Sequence, residues 1–136
     1  MSKKIFLALL CIAFISCSRS NDDNPSTGDV VTEGNWRVTL FTDSGNNETS
    51  DFNGYSFSFN SNGSLVASSS TQNKSGTWNI DNSSNKFNIN LGPKDDINKP
   101  LGELTYDWKI ISITTSEIKL TDDNPASEEF LTFTKN

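Results

Sequence analysis

Apolar and polar residues alternate with a period of two along most of the chain after residue 33. The apolar sets that share one side of an extended chain are Trp36, Val38 and Leu40; Tyr55, Phe57 and Phe59; Phe87, Ile89 and Leu91; Leu104, Tyr106, Trp108 and Ile110; Ile118 and Leu120; and Leu131 and Phe133. Because successive side chains of a strand point to opposite faces, this alternation predicts antiparallel strands that are buried on one face only. No stretch keeps a helical period for three turns.

Turn residues separate these strands. Asn62-Gly63 suits a tight hairpin, because both residues tolerate the positive φ angles that such turns need. Residues 82–85 and 115–116 carry Asn, Ser and Thr and mark further turns, and a long loop runs from Gly92 to Pro100. The strands are predicted at residues 35–42, 52–60, 64–70, 75–81, 86–91, 103–114, 117–121 and 129–134.

Eight short sequential strands indicate an all-β fold, and we predict an eight-stranded antiparallel up-and-down barrel. Closing the sheet removes the exposed edge strands, which otherwise pair readily with other chains. A β-sandwich is the alternative, since alternation alone does not distinguish the two architectures. The alternation changes phase at Ile110-Ile111-Ser112, where we expect a β-bulge that bends the strand.

The first residues have the pattern of a secretory signal peptide. Lys3 and Lys4 are followed by an almost wholly apolar run from Ile5 to Ile15, and signal peptides join a basic start to an apolar stretch of roughly 7–15 residues. The run is too short for a transmembrane helix, which needs about 20 residues. A buried core helix is the alternative. We predict that residues 1–16 are removed.

The cysteine at the end of this run predicts a lipid anchor. Phe14-Ile15-Ser16-Cys17 resembles the lipobox of bacterial lipoproteins. The resemblance implies that Cys17 is acylated, becomes the first residue of the mature protein and ties it to the membrane, with palmitate as a typical acyl group. An ordinary signal peptide with an incidental cysteine is the alternative. Ser18 follows in place of an inner-membrane retention Asp, so the resemblance implies the outer membrane, with the periplasmic or outer face left open.

The mature chain is predicted to be one domain on a tether. Residues 18–33 are polar and contain almost no apolar side chains, so they cannot bury enough surface to offset the entropy of ordering. Residues 17–33 are therefore expected to form the lipidated cysteine and a flexible tether, followed by a domain at 34–136. Cys11 leaves with the signal peptide, so neither a disulfide nor a thiolate metal site is expected.

The net negative charge of the chain argues against a nucleic-acid partner. The chain carries 11 basic and 17 acidic residues, a net charge of −6, and removal of Lys3 and Lys4 with the signal peptide makes it −8. Nucleic-acid binding needs a basic patch to neutralise phosphates, so no nucleic-acid partner is expected. Anionic headgroups are disfavoured for the same reason, which leaves the lipid anchor as the membrane contact.

The sequence contains few residues that could support catalysis or hold a cofactor. The sequence contains no histidine, which removes Ser-His-Asp catalysis and most zinc sites. It has no Gly-rich phosphate loop, and its carboxylate pairs, such as Asp95-Asp96, are adjacent in sequence and so point apart on a strand. Residues 43–48 offer oxygen ligands for calcium, but their composition is also that of an ordinary turn, which we favour. We predict no enzyme activity, cofactor or metal.

The ordered motifs of the domain resemble a known family. They are Gly34-Asn35-Trp36, Phe57-Ser58-Phe59 with Asn62-Gly63, Gly76-Thr77-Trp78 and Leu131-Thr132-Phe133-Thr134-Lys135. The set is similar to the lipocalin-like lipoproteins of Gram-negative bacteria. The resemblance implies that Trp36 plugs the bottom of an eight-stranded barrel. The chain lacks the Thr-Asp-Tyr element of full lipocalins and their late arginine that packs on the Trp, and Lys135 is the candidate to take the place of that arginine.

Two functions are compatible with such a barrel. The first is a cell-envelope protein that binds a small hydrophobic molecule in the barrel mouth, with Trp78, Trp108, Tyr55 and Phe57 as the candidate ligand contacts. The second is a surface interaction protein with a filled barrel, for example an inhibitor or an accessory subunit of an envelope complex. A barrel of eight strands is either filled by side chains or holds one small ligand. The bulky inward residues favour the filled barrel.

Overall fold

The structure, a computed structural model, describes residues 26–136. In this part of the chain a short helix, α1 at Thr27–Thr32, precedes the strands β1 Trp36–Asp43, β2 Asn46–Asn47, β3 Ser56–Phe59, β4 Ser64–Ser68, β5 Asn73–Asp81, β6 Lys86–Asn90, β7 Tyr106–Ile113, β8 Glu117–Thr121 and β9 Phe130–Lys135. Short 3-10 helices lie at Thr49–Phe52, Asp96–Asn98, Leu101–Leu104 and Pro125–Ser127. No helix in residues 26–136 has the length and apolar character to span a bilayer.

The strands form a closed antiparallel barrel. They are hydrogen-bonded in the order β1, β3, β4, β5, β6, β7, β8, β9, and β9 pairs back to β1 with Val38 opposite Phe133. The two-residue strand β2 adds only a small hairpin to the end of β1. The predicted eight-stranded antiparallel barrel is therefore confirmed. The alternative of a β-sandwich is wrong, because the ring of strand pairs has no break that would divide it into two sheets.

Two predicted strands begin later than the alternation indicates. The strand expected at 52–60 begins at Ser56, and the strand expected at 103–114 begins at Tyr106. In both cases the preceding residues form a 3-10 turn whose apolar side chains, including Phe52 and Leu104, are buried. The bulge expected in β7 is confirmed by a register shift between Ile110 and Ser112. A second shift, in β1, was not predicted.

The helix α1 corrects the predicted tether. Ser26 and Asp29 form a capping box, in which each side chain hydrogen-bonds the other residue's backbone N–H at 3.3 Å, and such a cap stabilises a helix start. Val30 and Val31 are buried. The expectation of a flexible tether up to residue 33 is therefore wrong for residues 27–32, because two adjacent valines provide enough apolar surface to dock the segment. The signal peptide, Cys17 and the first part of the tether lie outside the described residues.

The two ends of the barrel differ. The helix end comprises α1, the start of β1 and the short turns between β3 and β4, β5 and β6, and β7 and β8. Helix α1 contacts both β3 and β7, which stand on opposite sides of the ring, so the helix lies across this end. The loop end comprises the longer connections at residues 44–55, 91–105 and 122–129. Phe52, Leu101 and Leu104 are buried there, so both ends are covered.

Aromatic side chains occupy the interior. Phe59 makes edge-to-face contacts with Trp78, Phe87 and Phe133, with ring centroids 5.4–5.5 Å apart. Phe57 packs on Phe133 in the same way at 5.2 Å. This geometry is the one that aromatic pairs prefer. The buried apolar residues of all the strands except β2 join into one core, and the barrel interior is filled by side chains.

Candidate functional site

Two of the four predicted ligand contacts are inside the core. Trp108 is 0 % exposed, and its Nε1 donates to the carbonyl of Leu104 at 3.0 Å. Phe57 is also 0 % exposed. The prediction that Trp108 rims a barrel mouth is wrong in this structure, because the 3-10 turn Leu101–Leu104 lies over the indole. Phe57 likewise serves packing rather than an open site.

The other two predicted ligand contacts, Trp78 and Tyr55, lie apart from each other. The Trp78 Nε1 donates to the Asn60 carbonyl in the β3–β4 turn at 2.9 Å, and its ring stacks on Phe87. Tyr55 is half-buried, and its hydroxyl bonds the Gln72 side chain at 3.2 Å, on the side of the loop end. The four predicted residues therefore do not converge on one pocket.

Trp36, the predicted barrel plug, is the first residue of β1 and lies at the helix end. It is 0 % exposed, and its Nε1 donates to the Val31 carbonyl of α1 at 2.9 Å. Lys135 lies over the indole face, with its Nζ 5.0 Å from the ring centroid, a cation–π arrangement. Trp36 thus links β1, α1 and the end of β9. The predicted lipidation site, Cys17, lies outside residues 26–136.

A concave polar surface lies on the outside of β5, β6 and β7. Trp78, Phe87 and Trp108 point inward, so the residues between them point outward. The outward residues border a groove of about 870 Å³, which we call the polar groove. Its polar lining includes Thr77, Asn79, Asn88, Asn90, Thr105 and Asp107. Ser84 in the β5–β6 turn and Asp123 in the β8–β9 connection also line it.

Strand register arranges these groups in rows. Asn79 of β5 pairs with Asn88 of β6, which pairs in turn with Asp107 of β7. Paired residues on adjacent strands have side chains on the same face, and neighbouring strands are about 4.7–4.9 Å apart. The row therefore presents two amides and one carboxylate side by side across roughly 10 Å. Thr77 pairs with Asn90 in the next row.

Charges in the polar groove are mostly negative. Lys86 forms an ion pair with Asp123, and its Nζ also approaches the Asp107 carbonyl at 3.4 Å. Hydrogen bonds from Ser83 and Ser84 lower the pKa of Asp81, which stays ionised at neutral pH. Within residues 26–136 the Asp107 carboxylate has neither a hydrogen bond nor an ion pair.

One amide in this row lacks a partner. The Oδ1 atom of Asn88 is buried and accepts no hydrogen bond within the described part of the chain. A buried acceptor without a donor costs about 1–3 kcal/mol relative to a satisfied one. Buried polar groups in folded proteins are nearly always paired, so the partner of this acceptor comes from outside residues 26–136, as water or as a ligand.

A second polar cluster joins two connections at the loop end. The Tyr106 hydroxyl donates to Asp122 Oδ1 at 2.8 Å, and this bond raises the pKa of Tyr106 to about 12 and lowers the pKa of Asp122. The Lys94 Nζ lies 5.2 Å above the Tyr106 ring and 3.6 Å from Glu129 Oε1. Burial raises the pKa of Glu129. Tyr106 is thus a neutral donor at any physiological pH, and the cluster fastens the β6–β7 connection to the β8–β9 connection.

The segment considered for calcium forms a hairpin turn. Ser44 and Gly45 have φ angles of 53° and 77° and connect β1 to β2, as a tight two-residue turn requires. In residues 26–136 no group of three acidic side chains is placed to share a metal ion.

The sequence analysis did not predict the polar groove. It treated the asparagines of β5 and β6 only as the solvent-facing residues that alternate with buried ones. Three consecutive strands with Asn, Thr or Asp at their outward positions were the available signal. That signal identifies one face, but the concave shape of that face depends on the β8–β9 connection, which is distant in sequence.

Comparison with known proteins supports the fold. Neither a family model nor a curated protein sequence matches the chain. A solved structure does, the crystal structure of a DUF4847 family protein from Bacteroides vulgatus ATCC 8482 at 1.00 Å resolution. It is 17 % identical, the match covers 78 % of this chain and 94 % of that one, and the TM-score is 0.57. At this identity the likeness shows a shared fold.

Proposed function

We propose that this chain is a lipid-anchored, lipocalin-like interaction protein of the bacterial outer membrane that works through its exterior. The observation that carries the proposal is the filled interior. A carrier of apolar molecules needs a pocket of about 300–1,000 Å³, whereas here Phe57, Phe59 and Phe133 pack against one another in the middle of the barrel.

Entry of an apolar ligand would also require the ends to open. Phe52, Leu101 and Leu104 are at most 3 % exposed at the loop end. The β6–β7 connection that carries two of them is fastened by Asn98, whose Nδ2 donates to the Leu91 and Pro93 carbonyls at 2.9 and 3.0 Å. These bonds support a surface role over transport in the barrel mouth.

We also propose that the protein is not an enzyme. One adjacent pair of carboxylates, Asp122 and Asp123, has other partners: Asp122 accepts a hydrogen bond from Tyr106, and Asp123 forms an ion pair with Lys86. Tyr106, with its raised pKa, is a poor nucleophile and a poor base. Binding of an envelope protein, or of a ligand on the outside of the barrel, requires neither a nucleophile nor a general base.

Titration with apolar probes tests the filled barrel. A soluble form that begins at Asn24 is mixed with fatty acids or a hydrophobic dye while tryptophan fluorescence is recorded. We expect no saturable quenching, or a dissociation constant weaker than about 10 μM, which corresponds to about −7 kcal/mol. Submicromolar quenching at one site per chain would contradict the proposal and make transport of a hydrophobic molecule the better function.

Replacement of Cys17 tests the anchor. Cys17→Ser removes the thiol that the lipobox resemblance identifies as the acylation site, so cells that express it should accumulate a precursor without radioactive palmitate. Cys11→Ser is the matched control and should be labelled like the parent protein, because Cys11 leaves with the signal peptide. Labelling of the Cys17→Ser protein at the parent level would refute the lipid anchor.

A further inference from the structure

We infer that the polar groove on β5, β6 and β7 is a binding site for a neutral, hydroxyl-rich ligand, specifically an oligosaccharide. The inference rests on the proposed function, in which the exterior of the barrel is the working surface, and it adds the chemical class of the ligand. The volume of about 870 Å³ lies within the range of small-molecule sites.

The lining has the hydrogen-bonding character that sugar hydroxyls need. Amide and hydroxyl side chains both donate and accept, as a sugar hydroxyl does. Thr77, Asn79, Asn88 and Asn90 stand in two adjacent rows of the same outer face. The spacing of about 4.7–4.9 Å between strands lets neighbouring side chains bond different hydroxyl groups of one molecule.

The charges of the polar groove disfavour an anionic ligand. Asp81, Asp107 and Asp123 line the polar groove together with a single cation, Lys86, and that lysine is held by Asp123. An anion such as a phosphate or an acidic sugar would meet unpaired carboxylates. The Asp107 carboxylate instead suits two sugar hydroxyls, because hydrogen bonds to an ionised acceptor are shorter and stronger than neutral ones.

Asn88 is the central contact. Its Oδ1 has no hydrogen-bond partner in residues 26–136, and it stands between Asn79 and Asp107 in the middle row. No internal bond fixes the amide, and the terminal torsion of asparagine is broad, so the group can turn toward a ligand hydroxyl. Binding would then satisfy an acceptor that folding leaves unpaired.

An oligosaccharide array tests the inference. The full-length chain, in a zwitterionic detergent that has no sugar headgroup, is applied to neutral, acidic and basic oligosaccharides, and the hits are measured by calorimetry. We expect saturable binding to a neutral oligosaccharide with one site per chain. Asn88→Leu and Asp107→Asn should each weaken that binding at least tenfold. Asn53→Leu, at an exposed asparagine outside the polar groove, is the matched control and should bind like the parent.

Thermal stability separates binding from folding. Asn88→Leu removes an unsatisfied acceptor, so its melting temperature should equal or exceed that of the parent while its affinity falls. Absence of any neutral hit, preference for a charged oligosaccharide, or full affinity in Asn88→Leu would each overturn the inference. None of these results bears on the filled interior, which the apolar titration measures separately.

Discussion

Trp36→Ala is expected to lower the free energy of unfolding by about 3–5 kcal/mol, the usual cost of truncating a buried Trp or Phe. The loss should lie near the top of that range for two reasons. The indole N–H bonds the Val31 carbonyl, so truncation leaves a buried acceptor without its donor. The ring also carries Lys135 on its face, so α1 and the end of β9 lose their common support.

Thermal and urea denaturation of the soluble form, followed by circular dichroism, measure this effect. A loss of this size corresponds to a fall in melting temperature of roughly 10–20 °C for a domain of about 110 residues. Trp36→Phe is the matched control, since it keeps an aromatic ring but removes the N–H, and it should lose clearly less. A Trp36→Ala protein as stable as the parent would mean that the indole does not plug the helix end.

Gly76→Ala is expected to destabilise the barrel by at least about 2 kcal/mol, in the upper part of the range for overpacked cores. A Cβ atom on Gly76 would lie 2.1 Å from the Asn90 carbonyl oxygen and 3.0 Å from Leu91. The nearer obstacle is backbone of β6, which is hydrogen-bonded to β5 through the adjacent pair Thr77 and Asn90. It cannot withdraw without loosening that pairing.

Gly28→Ala is the matched control, and its expected effect on stability has the opposite sign. A Cβ on Gly28 would have only the Ser26 side chain near it, at 3.9 Å, and alanine favours a helix over glycine by up to about 1 kcal/mol. The same denaturation measurement should therefore show Gly28→Ala to be neutral or slightly stabilising. Equal stability of the two variants would show that β6 does not approach Gly76 closely.

Local patterns predicted the strands well. Alternation around Trp36, Phe57 and Trp108 placed all three on buried faces, because period two depends only on the geometry of an extended chain. Asn62-Gly63 marked a real hairpin, with Gly63 at a φ of 86°. The change of phase at Ile110-Ile111-Ser112 marked a real bulge. Each of these features is set by residues that are close in sequence.

The same patterns misjudged segments whose conformation depends on distant partners. Residues 27–32 were too few and too polar to indicate a helix, yet Val30 and Val31 dock on the barrel end. Leu104 continued the alternation of β7 and was assigned to it. It instead ends a 3-10 turn that covers Trp108.

The sequence by itself determined an all-β fold with aromatic residues on its buried faces and a net negative charge, whereas the signal peptide and the lipid anchor stay predictions. Tertiary structure decided that side chains fill the interior, that α1 and the 3-10 turns cover its ends, and that the polar groove lies outside. The reason is that alternation states which residues share a face but not what covers that face. Covering depends on contacts between segments far apart in the chain, such as Lys86 with Asp123 or Trp36 with Lys135.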